Sequence, residues 1–226
     1  MDFCETAYGS VIARIGAAAA AARRGDVRLL AVSKGQPADA IRRLAGLGQR
    51  AFGENYVQEA LAKQDALADP GLEWHLIGPL QSNKCRLVAQ RFDWLQSLDR
   101  LKLVEPLAAH RPAGRAPLNV LVQVNIDDEA AKSGCAPGAI AALAGAVAAQ
   151  PALQLRGLMA IPAPVPDLQR RRDAFRRMHG LFARLREAHP SVDTLSMGMS
   201  DDFDAAIAEG ATMVRVGTAL FGARPG

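Results

Sequence analysis

A lysine directly follows a short apolar run near the start of the chain, in the segment RLLAVSKGQP of residues 28–37. The run at residues 29–32 reads as a buried strand, and Gly35 with Pro37 ends it, which places Lys34 at its carboxyl end. Burial near other groups frees a lysine amine of its proton, and the neutral amine can attack an aldehyde carbon. A salt-bridged lysine at a strand end is the ordinary alternative, and for Lys34 taken alone it is the better explanation.

Two glycine-containing segments near the end of the chain have the residue types of a phosphate site. LSMGMSDDFDAAI places Gly198 and Ser200 just before a predicted helix, and VRVGTALFG places Gly217 and Thr218 just after a predicted strand. Glycine lets the backbone approach a ligand closely, and the N–H groups at a helix start bind phosphate. Ordinary turn glycines and caps are the alternative for either segment, but the two segments together favour phosphate.

The elements that must position these residues alternate between short apolar runs and longer amphipathic segments. Strands are predicted at residues 28–33, 50–53, 74–78, 94–97, 119–125, 155–161, 194–197 and 213–216. Helices are predicted at residues 6–23, 37–47, 56–68, 83–92, 101–109, 137–149, 166–188 and 202–209. This alternation predicts parallel strands with right-handed crossovers, and hence one α/β domain over residues 1–226, a (β/α)8 barrel with an extra N-terminal helix. An open doubly wound sheet is the alternative, but no GxGxxG segment follows the first strand.

The carboxyl ends of the strands form the mouth of such a barrel, where active sites lie. The residues at those ends include Ser33, Glu54, Asn55, His75, Asp127, Met159, Ser196 and Ser200. The usual phosphate site follows strands seven and eight, so Lys34 would meet an aldehyde whose phosphate lies there. Pyridoxal 5′-phosphate carries both groups. Arg215 on strand eight is placed to hydrogen-bond the pyridine nitrogen and keep it unprotonated, which makes the ring a poorer electron sink.

Seven segments carry a resemblance that extends from about residue 29 to residue 224. They read AVSKGQP, FGENYVQE, WHLIGPLQSNK, VQVNIDDEAAKSGC, RGLMAIPAP, LSMGMSDDFDAAI and VRVGTALFGAR. In these segments and their order, the chain resembles the pyridoxal phosphate homeostasis proteins. The resemblance implies a barrel like the N-terminal domain of alanine racemase, with one bound pyridoxal phosphate.

The resemblance also implies which residues bind the cofactor. Lys34 matches the lysine that forms the Schiff base, Asn55 matches a residue beside the cofactor, and Arg215 matches the arginine that faces the ring nitrogen. The phosphate-binding segments are matched by Ser196, Gly198, Ser200, Gly217 and Thr218, and the pocket wall by His75 and Met159. Gly35 stands where the family more usually has threonine or a similar residue, and we expect it to loosen only that turn.

The function implied by the resemblance is cofactor homeostasis without an established reaction. Such a protein is cytosolic and largely monomeric, and it keeps free pyridoxal phosphate, amino acids and keto acids in balance. The apo forms of enzymes that use the cofactor are candidate recipients.

Two enzyme readings remain as alternatives to this binding role. The first is a racemase-like enzyme that uses the same cofactor. Racemases of this fold add a β domain with a tyrosine base, whereas this chain ends at Gly226 and has only Tyr8 and Tyr56, so a binding and buffering role is favoured over catalysis. The second is a sugar-phosphate barrel enzyme in which Lys34 acts electrostatically.

Composition narrows the remaining classes of function. The chain has 226 residues and a net charge of +4. Its three cysteines include no CxxC pair, which predicts a reducing compartment, no disulfide framework and no metal site. No signal peptide or membrane-spanning segment is evident, so a cytoplasmic location is predicted. The arginine-rich segment 166–188 is interpreted as a solvated outer helix rather than a nucleic-acid surface, because no interleaved aromatics accompany its charge.

Overall fold

The structure, a computed structural model, describes residues 3–69, 71–129, 132–163 and 166–222. Its strands are β1 (Arg28–Val32), β2 (Ala51–Glu54), β3 (Glu73–Leu76), β4 (Trp94–Leu98), β5 (Leu118–Gln123), β6 (Leu153–Met159), β7 (Thr194–Ser196) and β8 (Met213–Val216). They pair in parallel and in chain order, and β1 also pairs with β8, so the sheet closes. The predicted (β/α)8 barrel is confirmed, while the extension of a single domain over residues 1–226 stays a prediction.

Helices connect the strands on the outside of the barrel. They are α1 (Phe3–Ala21), α2 (Ala38–Gly46), α3 (Val57–Leu67), α4 (Cys85–Arg91), α5 (Val104–Ala109), α6 (Ile140–Ala148), α7 (Leu168–Ala188), α8 (Phe203–Ala208) and α9 (Thr218–Phe221). Short 3₁₀ turns at Ser82–Lys84, Leu101–Leu103 and Pro137–Ala139 lead into α4, α5 and α6. The four residues of α9 are too few for periodicity to predict it. Among the helices described, none combines the length and apolarity needed to cross a bilayer.

The predicted strands extend one or two residues beyond the observed ends of β1, β3, β5, β6 and β7, because the chain stays extended or apolar where the ladder has stopped. At β1 the additional residue is Ser33, whose N–H donates to the Gly53 carbonyl at 3.0 Å. Lys34 and Gly35 then form a turn. The lysine therefore lies in a loop just beyond the barrel wall, and contacts outside the ladder must hold it.

Side chains on the outer face of the sheet pack with the helices in one large apolar core. Val120 and Val122 of β5 belong to this core together with Phe175 and Phe182 of α7. Two small apolar groups, Leu30 with Ala51 and Met213, and Trp94 with Leu121 and Met159, are separate from this core. Fully or almost fully buried polar side chains of the strands include His75, Gln96, Ser196 and Arg215. The interior of the barrel therefore contains several buried polar side chains.

The arginine-rich segment forms α7, an outer helix of the barrel. Its buried side is formed by Ala174, Phe175, Met178, Phe182 and Leu185. On its charged side, Arg176 pairs with Glu209 at 3.1 Å and Arg177 pairs with Asp127 at 3.0 Å. Neighbouring carboxylates therefore offset part of the positive charge of this helix.

A bulge in β6 brings the backbone of Gly157 unusually close to β7. Val120 is opposite Leu155 but Leu121 is opposite Gly157, so β6 has one extra residue at this point. Gly157 has a φ of 144°, and a Cβ atom there would lie 1.9 Å from the Thr194 carbonyl oxygen. Only glycine fits this position without moving the barrel wall.

We predict that Gly157→Ala lowers the free energy of unfolding by roughly 3 kcal/mol, because it combines a backbone clash with strained φ. Gly145→Ala is the matched control, since Gly145 lies within α6 and a Cβ atom there would meet nothing within 4 Å. The control is expected to raise the free energy of unfolding by roughly 0.5–1 kcal/mol. Urea denaturation measures both, and similar values for the two variants would contradict the close approach at Gly157.

Candidate functional site

A cavity of about 280 Å³ lies at the carboxyl ends of the strands. Six of the predicted site residues line it: Lys34, Asn55, Ser200, Arg215, Gly217 and Thr218. They come from the loops after β1, β2 and β7, from β8 itself and from the start of α9, so only closure of the barrel brings them together. The lysine and the two glycine-containing segments thus share one pocket, as the sequence predicts.

The other four predicted residues are not among those that line the cavity. Met159 packs with Trp94 and Leu121. Gly198 has a φ of 89°, and a Cβ atom there would lie 2.5 Å from the Cβ of Ala206, so this glycine allows the β7 loop to pass close to α8. Ser196 and His75 are completely buried. Their direct contact with a ligand stays a prediction.

Arg215 places a buried positive charge in the wall of the cavity. Its side chain donates from Nη1 to the Ser196 hydroxyl and from Nη2 to the Ala160 carbonyl, both at 2.8 Å, and the residue is only 4% exposed. Burial lowers the pKa of Arg215 to about 10, against the opposite effect of Asp202. Both hydrogen-bond acceptors are neutral, and a buried charge is costly unless it is compensated. A ligand that offers an acceptor atom would therefore bind favourably here.

A hydrogen-bonded chain runs from Arg215 through the barrel to the opposite end. The Ser196 hydroxyl, which accepts from Arg215, lies 2.7 Å from the amide oxygen of Gln96 and donates to it. The amide nitrogen of Gln96 lies 2.9 Å from Nδ1 of His75, so it donates and Nδ1 accepts. His75 then carries its hydrogen on Nε2, which lies 2.7 Å from the Glu73 carboxylate. The orientation of the guanidinium is thus fixed by four successive side chains.

His75 is held in its neutral form within this chain. Burial lowers the pKa of His75, although its hydrogen bond with Glu73 acts in the opposite direction. The indole of Trp94 stacks on the imidazole at a centroid distance of 5.0 Å. Burial alone would raise the pKa of Glu73, but the hydrogen bond from His75 and the charge of Arg28 lower it. We therefore place the charge on the carboxylate and leave the imidazole neutral.

The loops after β7 and β8 place hydroxyl and backbone N–H groups at the cavity. Ser200 and Thr218 line the cavity with Gly217, which directly precedes α9. The first N–H groups of a helix have no intrahelical acceptor and are available to an anion. In the β7 loop, the Met199 N–H donates to the Asp202 carboxylate at 2.8 Å, which fixes the backbone next to Ser200.

The cavity thus combines an amine, a buried guanidinium and a phosphate-type loop region. No group of three or more His, Cys, Asp or Glu side chains within the described ranges is arranged to hold a metal ion. This set of groups is suited to a small phosphorylated carbonyl compound that also carries a hydrogen-bond acceptor.

Sequence reasoning misses several residues that support the cavity. Gln96 reads as an ordinary polar residue inside a strand, and nothing local connects it with His75 or Arg215. Lys63 lies inside a predicted helix, where its only local signal is the i, i+4 spacing from Glu59. These residues acquire a role only through the topology of the barrel.

A sequence profile described as the alanine racemase N-terminal domain matches residues 9–225. The chain is 57% identical over 220 residues to the pyridoxal phosphate homeostasis protein of Pseudomonas aeruginosa, covering 95% of this chain and 93% of that protein. It is 54% identical over 216 residues to the protein of the same name from Escherichia coli K12, covering 93% and 92%. The resemblance that the sequence motifs indicate is confirmed.

Solved structures of similar fold agree with the sequence comparisons. PipY of Synechococcus elongatus, in a structure with bound PLP, superimposes with a TM-score of 0.84 at 39% identity, covering 98% of this chain and 100% of that one. Alanine racemase of Bartonella henselae gives a TM-score of 0.72 at 15% identity, covering 99% of this chain and 59% of the racemase. The second comparison concerns the fold alone, and it confirms the likeness to the racemase barrel.

We predict that the protein loses stability as the pH is lowered below about 6.5, because of His75. An unfolded histidine takes up its proton near pH 6.5, whereas the folded His75 takes it up only at lower pH, so the unfolded state binds more protons in this window. The free energy of unfolding should fall by up to about 1.4 kcal/mol per pH unit. Urea denaturation across this range measures the slope.

His75→Gln should flatten that slope, because glutamine does not titrate. His110→Gln is the control, since His110 is exposed at the end of α5 and should leave the slope unchanged. An unaltered slope in His75→Gln would show that another group is responsible.

Proposed function

Because this chain belongs to the family of pyridoxal phosphate homeostasis proteins, we propose that it binds pyridoxal 5′-phosphate in the cavity at the barrel mouth. Lys34 holds the cofactor through a Schiff base with its aldehyde carbon. The observation that carries the proposal is that Lys34, Arg215 and the phosphate-type loops line the same cavity. PipY, a relative of known structure, contains the same cofactor.

The groups in the cavity fit this cofactor. When bound, pyridoxal phosphate supplies an aldehyde that reacts with amines and a ring that withdraws electrons. The unprotonated ring nitrogen can accept a further hydrogen bond from the buried Arg215 guanidinium. Ser200, Gly217 and Thr218 bind the phosphate, and Asn55 lies beside the ring. In this proposal Ser196, Gly198, His75 and Met159 act from behind the cavity wall, where they orient Arg215 and shape the loops.

We further propose that the protein stores and releases the cofactor and does not turn over a substrate. The relatives from Pseudomonas aeruginosa and Escherichia coli are named pyridoxal phosphate homeostasis proteins. A racemase needs a second acid–base group opposite the lysine. Among the described residues that line the cavity, the only group of this kind besides Lys34 is the exposed Asp201. Racemase and transaminase assays on the loaded protein test this part, and turnover would contradict it.

The proposed setting is the cytoplasm, where the protein acts as a monomer and maintains the balance of free cofactor, amino acids and keto acids. Apo forms of enzymes that use the cofactor are its proposed recipients. Transfer from the loaded protein to such an enzyme, faster than release into buffer, is the measurement that tests this role.

We predict that adding pyridoxal phosphate to the wild-type protein produces the visible absorption band of a Schiff base, which borohydride removes. Lys34→Ala should lose the band completely, because the amine that forms the C=N bond is gone. Mass spectrometry after borohydride reduction should place the cofactor on Lys34. Lys102→Ala, at an exposed lysine of the turn before α5, is the control and should behave as wild type.

A second prediction concerns the phosphate. Thr218→Val removes a hydroxyl that lines the cavity while it keeps the shape of the side chain. It should weaken binding of pyridoxal phosphate roughly tenfold, the usual effect of losing one hydrogen bond to a charged group. Binding of pyridoxal, which has no phosphate, should be unchanged. Equal losses for the two ligands would place the phosphate elsewhere.

A further inference from the structure

Lys63 in α3 lies directly against the turn that carries Lys34. It is only 6% exposed, and its Nζ donates to the Ser33 carbonyl at 2.7 Å, to Glu54 at 2.7 Å and to Glu59 at 2.6 Å. The Ser33 hydroxyl donates to the same oxygen of Glu54 at 2.6 Å. We call Ser33, Glu54, Glu59 and Lys63 the Lys63 cluster.

The Lys63 cluster holds the backbone on both sides of Lys34. On the side that precedes the lysine, Ser33 is bound through its carbonyl and its hydroxyl. On the side that follows, the Gly35 N–H donates to the Glu59 carboxylate at 2.6 Å. The same oxygen of Glu59 accepts from Lys63, so a single ammonium group connects both contacts. The turn is therefore restrained at the two residues that flank Lys34.

Stability alone is a poor explanation for this arrangement. Glu54 is completely buried, and one of its oxygens has no hydrogen-bond partner among the described residues. Burial raises the pKa of Glu54, although hydrogen bonds from Lys63 and Ser33 oppose the shift. Buried ion pairs are often no more stabilising than apolar residues of similar size, whereas they do fix a single geometry.

The position of the cluster shows which geometry it fixes. Glu54 ends β2 and directly precedes Asn55, which lines the cavity, and Ser33 directly precedes Lys34, which also lines it. The cluster thus connects the ends of β1 and β2 through α3 at the cavity wall. Other loops of the cavity, after β7 and β8, have no contact with it among the hydrogen bonds of the described residues.

We propose that Lys63, with Glu54 and Glu59, positions Lys34 for bond formation with the aldehyde of the cofactor. This inference rests on the proposed function. The neutral Lys34 amine adds to the aldehyde carbon, a C=N bond replaces the C=O bond, and the oxygen leaves as water. The Lys63 cluster takes no part in that exchange, because it restrains only the backbone from which the amine extends.

The test compares two ligands that differ only at the reacting carbon. Pyridoxal phosphate has the aldehyde, and pyridoxine phosphate has an alcohol there, so only the first can bond to Lys34. Lys63→Met should slow borohydride-trapped attachment at Lys34 by between about 10-fold and 10²-fold, the effect of misplacing a reacting group. The affinity for pyridoxine phosphate should stay as in wild type. Lys102→Met is the matched control and should change neither value.

A second pair of variants decides the result if Lys63→Met does not fold. Glu59 is partly exposed, and Glu59→Gln keeps an oxygen that can accept from Gly35, whereas Glu59→Ala removes it. Slow attachment in the alanine variant, restored in the glutamine variant, is the expected result. If attachment at Lys34 and the affinity for pyridoxine phosphate fell together, the cluster would only support the fold, and the inference would be overturned. Attachment at the wild-type rate would overturn it as well.

Failure of the proposed function would give a different experimental result. In that case the wild-type protein itself would show no attachment at Lys34, and the inference would fall with it. Attachment in wild type that does not depend on the Lys63 cluster would overturn the inference alone.

Discussion

The buried charge of Arg215 is the constraint on which the barrel interior depends. A guanidinium can be kept away from water only if its N–H groups find acceptors. The Ser196 hydroxyl and the Ala160 carbonyl each accept a hydrogen bond from the guanidinium. Arg215 also lines the cavity, where a ligand can accept from its other N–H groups. Ser196 must then donate its own hydrogen, which it gives to Gln96. The polar character of the interior follows from this one residue, because an apolar filling would leave the charge without compensation.

The two basic side chains of the cavity are held in different ways. Arg215 is part of β8, so the ladders to both neighbouring strands fix its backbone before any side chain contributes. Lys34 lies outside the ladder, and side chains from β2 and α3 restrain the residues on both sides of it. A barrel strand is therefore sufficient to aim a residue, whereas a residue in a loop needs a dedicated set of contacts. The Lys63 cluster supplies these contacts with groups that are themselves charged.

Most of the fold and about half of the candidate site can be predicted from the sequence. Alternating apolar runs and helical segments identify all eight strands, and the errors lie at strand ends, where runs such as residues 119–125 extend past the ladder of β5. Lys34, Asn55, Ser200, Arg215, Gly217 and Thr218 were recognisable because strand ends and glycine loops leave local signals. Gln96 leaves none and Lys63 only its spacing from Glu59, since their other partners are brought to them by the barrel topology. The four-residue α9 is below the length at which periodicity can be detected.

The hydrogen bonds that connect Arg215 with Glu73 all have the same direction. Each donor in it points away from the cavity: guanidinium to hydroxyl, hydroxyl to amide, amide to imidazole, imidazole to carboxylate. Aligned hydrogen bonds polarise one another, so the cation at one end and the anion at the other stabilise the same orientation of every dipole between them. Arg215 and Glu73 thus behave as a relayed ion pair whose members never touch. Asp202 provides a carboxylate on the mouth side, and Glu73, which also pairs with Arg28, provides one at the base, so the hydrogen-bonded side chains electrically couple the two ends of the barrel.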